Sequence, residues 1–182
     1  ARLIYGGRTS LLIGVLAVAV QALIGIPLGI IAGYYRKFAE AIIMRLADMF
    51  QSIPSMCINI ALVSVFSPSV ATLVIILGVM GWTGFARLMY AKVISIREKE
   101  YIEGARAIGC KDSVIMLRYI LPNAISPALV GFTFGIPGAI LSESALSFLG
   151  LGVQIPQATW GNMLNAAQSL AIISLKPWLW IP

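Results

Sequence analysis

Residues 98–127 read E-K-E-Y-I-E-G-A-R-A-I-G-C-K-D-S-V-I-M-L-R-Y-I-L-P-N-A-I-S-P, a polar and charged stretch set in an otherwise apolar chain. The run 11–34 before it holds no charged residue over 24 positions. As a helix it measures about 36 Å, enough to cross a bilayer core of about 30 Å. Three further segments read the same way. The span 41–66 carries Arg45 and Asp48 in its first turns and Pro54, which should kink it; the two charges are three apart and could pair on one face. The spans 70–91 and 124–149 flank the polar stretch, the latter with Pro127, Pro137 and the intramembrane Glu143. The sequence therefore predicts an all-α fold, a polytopic transmembrane helical bundle forming a single domain over 1–182. Loop 92–123 lies outside the membrane between two spans.

Composition supports this class. Of the 182 residues, 59% are hydrophobic and only 11% charged, where soluble domains carry about 25% charge; mean hydropathy is +0.93. Cys57 and Cys110 stand far apart and suggest no disulfide framework. No G-x-x-x-x-G-K-[ST] loop is present to cradle ATP phosphates, and without histidine neither an H-E-x-x-H metal site nor a histidine-based triad can be built. An enzyme on this chain, with a metal or cofactor of its own, is not expected, and neither is a nucleic-acid partner.

Charge placement gives an orientation. Ten of the 13 Lys and Arg residues fall between Arg36 and Arg118, in clusters on one side if the spans alternate; Ser67-Pro68-Ser69, on the other side, is uncharged. By the positive-inside rule the clustered side is cytoplasmic, and loop 92–123 with it. Gly25, Gly29 and Gly33, spaced by four, mark a face for close helix contact. Residues 150–158 read as a turn-rich connector and the segment from Trp160 as a re-entrant or interfacial helix. Lys176-Pro177-Trp178-Leu179-Trp180 reads as an interfacial anchor, with another crossing starting near 177–182.

Within the loop, Tyr101, Ile102, Ala105 and Ile108 recur at helical spacing, and Gly109 suits the position that ends a helix. Asp112 or Ser113 could cap a second short helix reaching Arg118 or Tyr119, with Pro122 stopping it. Gly104, Ala105, Ala107 and Gly109 would leave a surface of little bulk for another protein, rimmed by Glu103 and Arg106. The same pattern also suits an amphipathic surface helix with a solvated charged face.

Glu103-Gly104-Ala105, then Gly109, then Leu121-Pro122 resembles the "EAA" loop of binding-protein-dependent ABC importer permeases, with Gly104 in place of the middle alanine and Tyr119 where isoleucine is usual. Arg118 to Asn123, Tyr5 to Leu12, Asp48 with Pro54, Trp82 followed by Arg87, Glu143 to Gly152, Pro156 and Trp160-Gly161 are similar to the dipeptide/oligopeptide C-type of that family. The resemblance implies a type I importer permease in a bacterial-type inner membrane. Such a permease pairs with a second permease subunit as a heterodimer, with two P-loop ATPase subunits that consume the ATP, and with an extracytoplasmic substrate-binding protein. It implies that Glu103, Gly104, Ala105, Arg106, Gly109, Leu121 and Pro122 form the ATPase-coupling loop. Against the family, an N-terminal span and part of a C-terminal one are missing, so a chain truncated at both ends is expected.

Two features stay open at this level. Glu143 either lines a substrate path or gate, or pairs with serines or backbone groups between helices; Asp48 and Arg87 are candidates for an interhelical ion pair. A secondary transporter with Glu143 at an ion or substrate site is the alternative function, and a membrane scaffold without transport is a third.

Overall fold

The computed structural model describes residues 2–154 and 156–168, and every element among them is helical. Helix α1 (Arg2–Tyr35) is followed by α2 (Lys37–Ser52), α3 (Ser55–Val65), α4 (Val70–Arg97), α5 (Glu100–Ala107), α6 (Asp112–Val114), a π-helical stretch Ile115–Ile120, α7 (Leu121–Phe148) and α8 (Trp160–Ala166). The expected anchor and crossing at 176–182 lie outside the described residues.

Several helices differ from the sequence expectation. α1 begins at Arg2, nine residues before the charge-free run, and α4 continues past Arg87 and Lys92 to Arg97. The segment 41–66 is two helices instead of one kinked helix: Ile53 is extended at φ −103° and ψ 134°, and α3 starts after Pro54. A proline disfavours the helical region for the residue before it, so the chain leaves the helix at Ile53. No break occurs at Pro122. α6, the π stretch and α7 run on as one helix over Asp112–Phe148. The wider turn ahead of Pro122 displaces the carbonyl that its ring would otherwise strike, and the helix passes through the proline.

The chain divides into two compact units. One, formed by 21–53 and 81–133, has its core at Ala47, Trp82 and Ala86, packed by Ile24, Leu28, Ile43, Met44 and Phe50. Phe50 meets Trp82 edge-on with centroids 5.9 Å apart. The glycine face of α1 lies here: Gly25 fits against Trp82 and Ala86, Gly29 against Ala86 and Met89, and Gly33 against Val93, with no room for a Cβ. In lipid, apolar surface alone does not favour helix association, so backbone approach of this kind supplies the dispersion contact. The turn from α1 into α2 is made by Arg36 and Lys37, both at positive φ (54° and 45°), a backbone region that costs of order 1–3 kcal/mol for an L side chain.

The other unit, formed by 2–20, 54–80 and the described residues from 134 onward, buries Ile13, Val18, Val63, Leu73 and Leu146. Gly78 rests on Ala17 and Val20, and Gly14 on Ile140.

Candidate functional site

The polar stretch folds as α5, a tight turn and α6. Ile102 and Ala105 face inward and are buried, while Tyr101, Glu103, Gly104, Arg106, Ala107 and Ile108 are exposed. Gly109 has φ +79° and ends α5: its N–H bonds to the Arg106 carbonyl (2.9 Å), and the Cys110 N–H bonds to the Ala105 carbonyl (3.0 Å). These are the two bonds of a Schellman cap, which needs a left-handed residue and favours glycine. Ile108 sits at the tip with 80% of its surface exposed. Small residues do form part of the outer face, at Gly104 and Ala107, but Ala105 packs inward. Leu121 is half-buried and Pro122 exposed, directly after the π stretch.

The loop is tied down at Tyr34, a residue that carries no functional motif in the sequence. Buried at the end of α1, its hydroxyl donates to Asp112 Oδ1 (2.6 Å) and accepts from Arg106 Nε (3.4 Å). The Arg106 guanidinium lies 4.8 Å from the centre of the Tyr34 ring. The Tyr34 carbonyl accepts from Arg97 Nη1 (2.8 Å). All these partners are more than 60 positions away in sequence, so no local signal marks the tyrosine; at the end of an apolar run it reads as an interfacial anchor. Nearby, Arg36 pairs with Glu40 and Glu98 at 3.8 Å, Tyr90 donates to Glu40, and Gln51 donates to Thr83 (2.9 Å). Asp48 and Arg87 form an ion pair whose side chains stay about half exposed.

Glu143 lies in the other unit and is fully buried. One carboxylate oxygen accepts from Ser10 Oγ (3.1 Å) and the other from Ser147 Oγ (2.7 Å). The Ser10 oxygen in turn accepts the Trp160 backbone N–H (3.2 Å), and the Trp160 indole donates to the Leu3 carbonyl (3.2 Å). Thr159, also buried, caps α8 through the Asn162 N–H (3.1 Å). Asn165 and Gln168 both donate to the Phe148 carbonyl, at 2.6 and 2.7 Å. Gly161 and Gly152 face Ser147 with no space for a side chain. Together these contacts hold α8 against the end of α7 and the start of α1. Among the described residues, no group of three or more His, Cys, Asp or Glu could hold a metal ion.

Residues 25–176 match the family described as the binding-protein-dependent transport system inner membrane component. The chain belongs to that family. Relatives of the chain include the dipeptide transport system permease protein DppC of Alkalihalophilus pseudofirmus, 41% identical over 97% of the chain and 58% of the relative. The glutathione transport system permease protein GsiD of Pectobacterium atrosepticum is 38% identical over 96% of the chain and 58% of the relative. The chain thus spans less than two thirds of the length of these relatives. Its fold is that of a chain in the inward-facing MetNI methionine ABC transporter, with a TM-score of 0.75 over 93% of this chain and 88% of that one, at 17% identity. In keeping with an inner membrane component, three described helices are long and apolar enough to cross a membrane, or four if α2 and α3 count as one span.

Proposed function

We propose that this chain is the membrane-spanning subunit of an ATP-driven importer for peptides or related small solutes. It forms half of the translocation path and is driven through the 98–123 loop by a separate ATPase. Membership of the inner-membrane-component family and the names of relatives at about 40% identity support the reading. The observation that carries it is the loop itself, a capped helix α5 that offers Gly104, Ala107 and the bare apolar tip Ile108 outward while Ile102 and Ala105 anchor it inward. An aliphatic side chain with 80% of its surface exposed, at the tip of a polar segment outside the spans, suits a protein groove better than water. The concentration of Lys and Arg around this loop supports a cytoplasmic side for it.

In this reading the partners are two P-loop ATPase subunits, a second permease subunit and an extracytoplasmic binding protein, and the ATP is bound and hydrolysed entirely by the ATPases. Glu103 and Arg106 orient the docked helix, and the Schellman turn at Gly109 keeps α5 at a fixed angle to the long helix that begins at Asp112. Closure of the ATPases then moves the hairpin as a rigid piece and rocks the attached helices. Glu143 acts as the centre of a latch between α1, α7 and α8.

The test is uptake of labelled di- and tripeptides into proteoliposomes holding the full-length permease, its paired subunit and the ATPases, with binding protein added. ATP-dependent uptake is expected. Uptake driven by an ion gradient without the ATPases, and lost on Glu143→Gln, would overturn the reading in favour of a secondary transporter.

A further inference from the structure

We infer that Tyr34 is the clasp through which movement of the 98–123 loop reaches α1, a positioning role that rests on the importer reading above. The residue sits in the last turn of α1, where carbonyls lack partners within the helix. Its own carbonyl is satisfied by Arg97 from the end of α4, which fixes the tyrosine backbone to two spans at once. The buried side chain then reaches both arms of the hairpin. The hydroxyl donates to Asp112, first residue of α6, and accepts from Arg106 in the last turn of α5, while the ring carries the Arg106 guanidinium on its face.

Only a phenol does all of this. Phenylalanine would keep the cation–π contact and lose both hydrogen bonds; serine or threonine could keep a hydroxyl and lose the ring. Arg106 and Asp112 bear opposite charges and flank the Gly109 turn, so one side chain gathers the two ends of the hairpin. Just beyond α1, Arg36 meets Glu98 at 3.8 Å, a weaker tie with side chains 45% and 66% exposed. A displacement of α5 is therefore transmitted to α1 at Tyr34.

Tyr34→Phe and Tyr34→Ala separate the parts, since the Arg97 bond to the backbone carbonyl survives both. The first readout is amide hydrogen exchange of the full-length permease in nanodiscs. We expect exchange in 100–115 to rise about tenfold for Tyr34→Ala and a few-fold for Tyr34→Phe, with α4 unchanged. The second is substrate transported per ATP hydrolysed by the reconstituted complex. This ratio should fall about fivefold or more for Tyr34→Ala, with ATP hydrolysis retained and partial recovery in Tyr34→Phe, a pattern that general loss of stability would not produce. Unchanged exchange in the loop overturns the clasp. Faster exchange with an unchanged ratio overturns its role in transmission. A wild-type complex that hydrolyses no ATP overturns the importer reading and transmission with it, while the exchange data still decide whether Tyr34 holds the loop.

Discussion

Ser10 and Glu143, 133 positions apart, meet through a buried hydrogen bond of 3.1 Å in which the serine hydroxyl donates to the carboxylate. The same serine oxygen receives the Trp160 backbone N–H. One small side chain thus joins the first turns of α1, the last turns of α7 and the start of α8. Ser147 completes the carboxylate's partners from one turn along its own helix.

Replacing Glu143 by alanine leaves two buried hydroxyls without an acceptor and should cost about 1–3 kcal/mol. Glu143→Gln retains one acceptor oxygen and should cost less than half as much. Thermal unfolding of the purified protein in detergent would rank the two variants, and limited proteolysis should find the α7–α8 connector cut faster in Glu143→Ala alone.

Gly109 is expected to tolerate no bulky side chain, since its φ of +79° is left-handed. Gly109→Val should disrupt the Schellman cap at a cost of about 1–2 kcal/mol. With the spans untouched, far-ultraviolet circular dichroism should stay near wild type while transport per ATP hydrolysed falls severalfold.

The glycine face of α1 should be the part of the fold least open to substitution. A Cβ on Gly29 would run into the Ala86 backbone and the Met89 side chain. Gly29→Leu should therefore cost about 1–3 kcal/mol, or prevent accumulation in the membrane. Gly104 of the hairpin offers a contrast: it has open space around its Cβ position inside α5, and Gly104→Ala should be neutral or stabilising by up to about 1 kcal/mol.

For Asp48 and Arg87, exposure limits the effect. Both side chains are about half accessible, so either single alanine variant should change stability by less than about 1 kcal/mol. The reciprocal exchange Asp48→Arg with Arg87→Asp should recover whatever transport the single charge reversals lose. Failure to recover would mean that the pair does not act as a unit.

Features set by a few neighbouring residues could be read from the chain alone, and those set by distant contacts could not. The glycine that ends α5 is a backbone requirement of the turn itself, so Gly109 stands out in the sequence. The charge-free run from Leu11 to Tyr34 likewise announces a membrane-length helix. Pro54 and Pro122 show the limit of the local rule. One proline ends a helix because Ile53 ahead of it turns extended; the other lies inside a continuous helix because a π turn makes room for it. The apolar spacing sets Ala105 in line with Ile102, the side that is buried, but it also includes Tyr101 and Ile108, which are exposed, because which of these positions turn inward depends on what lies beneath α5. Tyr34 was silent for the same reason, with Arg97, Arg106 and Asp112 brought to it only by the fold.

Site-directed cross-linking from the outer face of α5 tests the proposed docking loop without depending on the identity of the substrate. With Cys57 and Cys110 replaced by serine, Gly104→Cys is combined with a short bifunctional thiol reagent in membranes containing the co-expressed ATPase. The account predicts a permease–ATPase cross-link from position 104, strengthened or weakened by ATP, and none from Ser67→Cys in the turn before α4. An ATPase that co-purifies with the permease but cross-links at position 67 and not at 104 would contradict it.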